Sequence, residues 1–229
     1  RRLIADGINV NVTLLFSIDA HARVIEAYLA GLEERAAAGN PIDHVASVAS
    51  FFVSRVDSEI DKRLDAVAAS APEGVRDGIL AMRGKAAVAN ARLAYRLFAQ
   101  QFSGPRWEAL AAKGAQLQRP LWASTSTKNP AYRDVLYVEQ LIGPDTVNTM
   151  PPATLEAFRD HGITARTVDG DPEGAERLLG ELRALGIDLD QVTDQLLTEG
   201  LASFQKSFDT LIAGLERKTA ALAHAATVA

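Results

Sequence analysis

The stretch Gly7-Ile-Asn-Val-Asn-Val-Thr-Leu-Leu-Phe-Ser17 predicts the first strand of the chain and the start of its first long helix. In an extended segment the amide and hydroxyl side chains point to one side and the aliphatic side chains to the other. The polar side holds Asn9, Asn11 and Thr13, and the aliphatic side holds Val10, Val12 and Leu14. Ser17 then stands where a helix N-cap is expected, and apolar residues follow at spacings of four and three.

A second strand is predicted from residue 45 to residue 53, after Gly39-Asn40-Pro41 ends the helix. It is apolar on both faces, as in a parallel strand that is buried on each side. Strand, helix and strand together make a βα unit of an α/β fold. Two interpretations of the polar side of the first strand stay open, because its amides and hydroxyl suit the interior of a barrel as well as a solvated strand face.

Composition limits the classes of function. With 229 residues, of which 48% are hydrophobic, the chain is long enough for one sizeable core. A net charge of −5 and a pI near 5.4 argue against a nucleic-acid partner, which would need clustered Lys and Arg. The absence of cysteine excludes disulfides and thiolate metal sites, and no apolar run is long enough to cross a membrane. We therefore expect a cytoplasmic protein without a nucleic-acid or membrane partner.

No metal or nucleotide site is predicted. The four histidines show no pair at the spacing of helical metal ligands, and no Walker A loop or dinucleotide glycine pattern is present. Asp57, Glu59 and Asp61 do not begin an EF-hand loop, because Lys62 and Ala68 stand where Gly and Glu are required. We interpret these acids as the start of a solvated helix, and each histidine as structural or exposed.

The remainder of the chain predicts further helices and two more strands. In chain order, these are a long helix over 75–97, a helix around Trp107, a strand over 121–124 that enters the polar loop 125–129, a strand over 145–150, and helices over 152–161, 173–185 and 190–222. The polar connector after residue 166 suggests a division into residues 1–166 and a helical extension, residues 167–229.

Several of these motifs resemble the transaldolase family. The run Asn11-Val-Thr-Leu-Leu-Phe-Ser17 and the later Ser50-x-Phe-x-x-Arg55 occur in the family's order and at a compatible separation. Pro120-Leu-Trp-Ala-Ser-Thr-Ser-Thr-Lys-Asn-Pro130 is similar to the segment around the seventh strand of the longer transaldolases, although Ser126 and Thr127 depart from it. Because Glu199-Gly-x-x-x-Phe-x-Lys-Ser-Phe-Asp-x-Leu211 continues the likeness, it covers most of the chain.

The resemblance implies a (βα)8 barrel, of which this chain would be the C-terminal half, about strands five to eight, plus C-terminal helices. Residues 1–166 would be the second half of the barrel, and residues 167–229 would pack on it. The chain starts without Met, and residues 1–6 read like the tail of a helix, so we expect the latter part of a longer protein. In the family the Schiff-base lysine lies on the fourth strand, and none of the six lysines here matches it.

The resemblance also implies the reaction. Transaldolases of the pentose phosphate pathway convert sedoheptulose 7-phosphate and glyceraldehyde 3-phosphate to erythrose 4-phosphate and fructose 6-phosphate. A lysine Schiff base with the ketone serves as the electron sink for cleavage of the C–C bond. Neither a metal nor an organic cofactor is needed, and the full-length enzyme would be a monomer or a homodimer.

Carried over to this sequence, the resemblance gives roles to seven residues. Asn11 and Thr13 would orient the carbinolamine and the catalytic water. The substrate hydroxyls and phosphate would be held by Ser50, Phe52, Arg55, Ser124 and Lys128. The residues alone favour a surface ion pair of Arg55 with Asp57 or Glu59, whereas the resemblance favours phosphate.

Two other functions remain open. The chain fits a non-catalytic half-barrel that binds phosphosugars or pairs with another chain. It also fits a fructose 6-phosphate aldolase, which cleaves without an acceptor sugar.

Overall fold

The computed structural model of the chain describes the backbone of residues 1–228 and the side chains of residues 1–219. Within this range four strands form a single sheet, and every neighbouring pair in it is parallel. The strands are β1 (Val10–Leu15), β2 (Ser47–Phe52), β3 (Gln118–Ala123) and β4 (Val147–Asn148). Their order in the sheet follows their order in the chain. The α/β class with a parallel sheet is therefore confirmed.

Helices separate the strands and follow the last one. They are α1 (Arg2–Ala5), α2 (Ile18–Ala37), α3 (Ser54–Ser70), α4 (Glu73–Leu80), α5 (Ala86–Gln101), α6 (Pro105–Ala111), α7 (Leu136–Glu139), α8 (Pro152–His161), α9 (Pro172–Ala184) and α10 (Leu189–Val228). All four predicted strands are present, with β4 reduced to two residues. In the described part of the chain, no helix combines the length and hydropathy needed to cross a lipid bilayer.

Helix α2 forms where the sequence predicts it. The side chain of Ser17 accepts a hydrogen bond from the backbone N–H of Ala20 at 3.1 Å and so satisfies one of the free donors of the first turn. Its predicted apolar stripe is buried at Ile25, Leu29 and Leu32. This helix covers one face of the sheet, since Val10 and Val12 contact the cluster that it forms with the other helices.

Strand β1 departs from regular alternation at its end. Leu14 has a φ of +60°, and the register with β2 shifts between Val12 and Leu15. Leu14 therefore does not continue the face of Val10 and Val12, as alternation predicts. It is buried instead against Gly200 of α10, where an added Cβ would lie 3.0 Å from Leu14 Cδ2.

The predicted long helix over 75–97 is wrong, because two helices stand in its place. A turn interrupts the apolar stripe at Gly84, whose φ of +70° is readily adopted only by glycine. The ring of Tyr132 packs directly on this glycine, and an added Cβ would lie 2.8 Å from Tyr132 Cζ. Val75, assigned to the stripe, is 52% exposed.

Large aromatic side chains fill the space between the sheet and its helices. Phe51 and Trp122, on paired strands, make an edge-to-face contact with their ring centroids 6.2 Å apart, and both are fully buried. Trp122 Nε1 donates to the carbonyl of Leu141 at 3.0 Å, so the indole is satisfied inside the core. The core therefore lies on the helix-covered face of the sheet, opposite the polar side chains of β1.

The two C-terminal helices form as predicted, and α10 extends to Val228. Helix α9 packs on α5, and the beginning of α10 contacts α3, β1 and α9. Val192 and Leu196 of the predicted apolar stripe are buried, whereas its later members are exposed. The exposed members are Leu201, Phe204, Phe208, Leu211 and Leu215. The division of the chain after residue 166 stays a prediction.

Candidate functional site

Three parallel strands carry the predicted site residues, with Asn11 near their amino ends and Phe52, Arg55, Ser124 and Lys128 at their carboxyl ends. Because β1, β2 and β3 pair in parallel, their carboxyl ends lie at the same end of the sheet. Asn11 lies on the face that the helices leave open, and Asn11 Oδ1 accepts a hydrogen bond from Ser50 Oγ at 2.6 Å. Thr13 is exposed, as Asn11 is. The first two strands thus place the exposed Asn11 and Thr13 beside the buried hydroxyl of Ser50.

Phe52 and Arg55 form the next part of the site. Arg55 is the second residue of α3, and its guanidinium carbon lies 5.4 Å from the centre of the Phe52 ring. The ring itself rests against Phe16, with 5.3 Å between centroids. The stacking holds the half-buried guanidinium where α3 begins, at the carboxyl end of β2.

The ion pair that the residues alone favoured for Arg55 is not formed. Glu59 binds Arg63 Nε at 2.9 Å and Lys62 at 3.6 Å instead, and Asp57 is buried. Arg55 has no carboxylate partner among the residues whose side chains are described. Its charge is therefore available to an anionic ligand.

Ser124 follows β3 directly and is linked to the start of α3. Ser124 Oγ lies 3.0 Å from Ser54 Oγ, and the Ser124 carbonyl accepts the backbone N–H of Ser54 at 3.1 Å. Its φ of +57° is uncommon for a residue with a side chain. Such strained positions cluster at binding sites, where the surrounding structure enforces them.

Lys128 extends from the loop after β3 into solvent. Its Nζ donates to Ser126 Oγ at 2.8 Å, and no carboxylate within the described side chains pairs with it. Ser126, one of the departures from the family pattern, thus supports the lysine. Arg55, Ser124 and Lys128 therefore offer two uncompensated cations and a hydroxyl near the carboxyl end of the sheet, an arrangement that suits a phosphate group.

Two carboxylates in this region were assigned wrongly from the sequence. Asp57 and Asp61 are not part of a solvated helix face, because Asp57 is fully buried and Asp61 is 8% exposed. Asp57 accepts the backbone N–H of Ala87 at 2.7 Å and the hydroxyl of Tyr137 at 2.8 Å. Burial raises the pKa of Asp57 to about 7, although these two hydrogen bonds oppose the rise.

Asp61 makes an equivalent pair of bonds one turn further along α3. It accepts the backbone N–H of Gly84 at 2.9 Å and the hydroxyl of Tyr132 at 2.5 Å. Burial and the neighbouring Asp61 carboxylate raise the pKa of Tyr132. A spacing signal for both acids was present in the sequence, since Asp57 and Asp61 stand on the same helical stripe as Ile60 and Leu64.

The histidines differ in their surroundings. His21 is fully buried beside Phe51, and neither ring nitrogen has a hydrogen-bond partner among the described residues. Burial lowers its pKa to about 4. His161 bridges Asp134 and Asp160 on the surface, and His44 is paired with Asp43. These three match the prediction of structural or exposed histidines, while the side chain of His224 lies outside the described residues.

The described residues include neither a cluster of metal-binding side chains nor a buried lysine. No group of three or more His, Cys, Asp or Glu side chains among them is arranged to hold a metal ion. All six lysines lie outside the strands, and all six are exposed. They are Lys62, Lys85, Lys113, Lys128, Lys206 and Lys218.

Comparison with known proteins places the chain in a family. The family described as Transaldolase/Fructose-6-phosphate aldolase matches residues 1–215. A transaldolase of Parafrankia sp. (strain EAN1pec) is 53% identical over 210 residues, which are 91% of this chain and 55% of that protein. The transaldolase of Acidothermus cellulolyticus is 52% identical over 215 residues, which are 93% of this chain and 56% of that protein. The transaldolase of Trichodesmium erythraeum is 50% identical over 220 residues, which are 95% of this chain and 58% of that protein.

The chain therefore belongs to the transaldolase/fructose-6-phosphate aldolase family. It spans about half the length of the curated relatives it matches. Family membership confirms the resemblance on which the seven site residues were selected. Their individual roles stay predictions.

Proposed function

We propose that the chain is the substrate-binding half of a transaldolase. The reaction is the transfer of a dihydroxyacetone unit from sedoheptulose 7-phosphate to glyceraldehyde 3-phosphate, giving erythrose 4-phosphate and fructose 6-phosphate. The observation that carries the proposal is the pair of uncompensated cations near the strands' carboxyl ends, Arg55 in the first turn of α3 and Lys128 in the loop after β3, two segments that Ser54 and Ser124 join. Relatives about half identical to this chain are named transaldolase, which supports the same reaction here.

The proposed architecture is the second half of a (βα)8 barrel. Four parallel strands in chain order, with helices on one face, are the arrangement that half of such a barrel requires. On its open face the sheet presents Asn11 and Ser50, where the barrel interior would be. The other strands would cover this face and close the sheet.

The Schiff-base lysine would lie in those other strands. An amine that attacks a ketone at neutral pH must be deprotonated, and burial lowers its pKa for that purpose. All six lysines of this chain are exposed and lie outside the strands, so none has this environment. We therefore assign the covalent step to a lysine outside the chain, and expect the 229 residues alone to be inactive.

Within this account the residues of the chain hold the sugar in place. Arg55, Ser124 and Lys128 bind the phosphate through charge-assisted hydrogen bonds. Asn11 and Thr13 orient the carbinolamine and the catalytic water, while Ser50 binds a substrate hydroxyl and Phe52 supports the guanidinium of Arg55. The cytoplasm as the site of action and a monomeric or homodimeric state belong to the same proposal.

Replacement of Arg55 tests the phosphate site in the product of the whole gene. Arg55→Ala should lower kcat/KM for fructose 6-phosphate by about 10- to 100-fold, because a charged hydrogen-bonding partner of the phosphate is lost. Turnover of unphosphorylated fructose should change little. Arg63→Ala is the matched control, since Arg63 lies on the same helix but is bound to Glu59 and Gln195. An unchanged kcat/KM for fructose 6-phosphate in Arg55→Ala would refute the assignment.

Two alternatives have support of their own. The family description also includes fructose-6-phosphate aldolase, and turnover without any acceptor sugar would favour that activity. The exposed lysines and the unpaired outer edges of β1 and β4 are compatible with a non-catalytic module that binds phosphosugars or pairs with another chain. For such a module, phosphate binding would persist while the whole gene product showed no Schiff base.

A further inference from the structure

One buried hydrogen bond, one partly buried hydrogen bond and one at the strand ends tie helix α3 to the segment that follows β3. At the strand ends, Ser54 meets Ser124. Further along, Asp57 accepts the hydroxyl of Tyr137, and Asp61 accepts that of Tyr132. Arg55 lies on the α3 side of these bonds and Lys128 lies on the other, between Ser124 and Tyr132 in the chain. In chain order, Arg55 therefore lies between Ser54 and Asp57, and Lys128 between Ser124 and Tyr132, so each cation is flanked by residues that make these bonds.

Each carboxylate also reaches a third piece of the chain. The second oxygen of Asp57 accepts the backbone N–H of Ala87, and that of Asp61 accepts the backbone N–H of Gly84. The turn between α4 and α5 is thus fixed to the same helix face as the two phenols. Tyr132 also packs on Gly84, so helix α3, the turn at Gly84 and the loop at Tyr132 are held in fixed positions relative to one another.

Filling space does not explain this network. Burying a carboxylate is costly, and apolar side chains of similar volume fill a core without that cost. What the bonds add is direction, because a hydroxyl–carboxylate contact is short and has a preferred geometry. Asp57 and Asp61 are four residues apart on one helix face, so together they fix two points of the loop segment.

We propose that Tyr132 and Tyr137 are positioning residues for phosphate binding. Through Asp61 and Asp57 they hold the loop that carries Ser124 and Lys128 against α3, the helix whose first turn contains Arg55. Neither tyrosine touches the phosphate in this account, and each acts through the separation of the two cations. The inference rests on the proposed phosphate site and adds to it the residues that set its dimensions.

Phosphate binding by the product of the whole gene tests the inference. Inorganic phosphate is titrated into the isotope-labelled protein, and the dissociation constant is read from the amide shifts of residues near Arg55 and Lys128. Tyr132→Phe keeps the ring on Gly84 and removes only the hydroxyl, so the constant should rise by about three- to tenfold. Tyr137→Phe is the second variant, and it should weaken phosphate binding in the same direction.

Tyr95→Phe is the matched control. Its hydroxyl donates to the carbonyl of Pro144 at 3.2 Å and belongs to no part of the network. This variant should leave the dissociation constant unchanged. A purely structural role for Tyr132 would lower the thermal midpoint while the folded variant bound phosphate as tightly as the parent, and that result would overturn the inference.

A double variant separates positioning from direct contact. If Tyr132 acts through Lys128, then Tyr132→Phe should weaken phosphate binding no further once Lys128→Ala is present. Full additivity of the two effects would contradict the inference. If Lys128→Ala and Arg55→Ala bound phosphate like the parent, the proposed phosphate site itself would be wrong, and the positioning role would fall with it. Weakening by Lys128→Ala without weakening by either tyrosine variant would refute the positioning role alone.

Discussion

Arg55, at the start of α3, and Lys128, in the loop after β3, both lack a carboxylate partner among the described side chains. Arg106, by contrast, is bonded to both Glu26 and Glu33. Arg55 and Lys128 differ from other unpaired cations in their position, because both lie near the carboxyl ends of parallel strands, where phosphate groups are commonly bound. The phosphate site therefore rests on their position as well as on their free charge.

The buried His21 should make the stability of the fold depend on pH. Its pKa falls from an ordinary 6.5 in the unfolded chain to about 4 in the folded one, because the buried ring has no partner for its charged form. The neutral ring favours the folded state above pH 6.5, and that stability is lost as the pH falls through 4. The difference amounts to roughly 3 kcal/mol.

Denaturant unfolding at pH 7.5 and pH 4.5 checks this expectation. His21→Leu should lose less stability between the two pH values than the parent, because it has no buried imidazole to protonate. Asp57 acts in the opposite sense, since its raised pKa means that stability is lost as the pH rises through about 7. Because Asp57 is common to the parent and His21→Leu, an equal pH dependence in the two proteins would contradict the assignment to His21.

Local signals explain which elements could be predicted from the sequence. Helix α2 was predicted because its cap and its apolar spacing lie within a few residues of one another. The break between α4 and α5 was missed, since it depends on Gly84 meeting Tyr132 from a distant part of the chain. Asp57 and Asp61 were missed for the same reason, because their phenol partners lie 71 and more residues away. Alternation in the first strand singled out Asn11 but left two interpretations open, and Ser50 was found only through the family motif.

Gly84 should be required for the stability of the turn between α4 and α5. Gly84→Ala should destabilise the chain by roughly 1–3 kcal/mol, because an alanine would adopt a φ of +70° and its Cβ would meet the Tyr132 ring. Gly78→Ala is the control, since Gly78 lies inside α4 with open space around it and should gain up to about 1 kcal/mol. Urea midpoints measure both, and equal midpoints for parent and Gly84→Ala would show that the turn tolerates a side chain.

At the scale of the molecule, the chain leaves apolar surface uncovered. Phe204 and Phe208 of α10 are 50% and 59% exposed, and the sheet has open outer edges at β1 and β4. A parallel sheet is normally covered on both faces, so this open face agrees with the proposal that more of a barrel belongs against it. The uncovered face could not be predicted from the sequence, because the pattern of residues in a strand is the same whether its own chain or another covers the strand.

Self-association of the isolated chain is the corresponding prediction. At micromolar concentration it should elute as a dimer or larger species in gel filtration with light scattering, because exposed apolar stripes and strand edges pair with one another. The double variant Phe204→Asp, Phe208→Asp should shift the chain towards monomer. Leu155→Asp on α8, also exposed, should not. A monomeric parent would show that the stripe and edges are tolerated in water.

The central claim is that this chain holds the sugar phosphate while a lysine outside it forms the Schiff base. Borohydride trapping with fructose 6-phosphate, read by intact mass, tests it on the 229-residue chain and on the product of the whole gene. The account predicts a covalent adduct on the whole product and none on the chain. An adduct on the chain would place the nucleophile among its six exposed lysines and contradict the account, and an adduct on neither would favour a binding module.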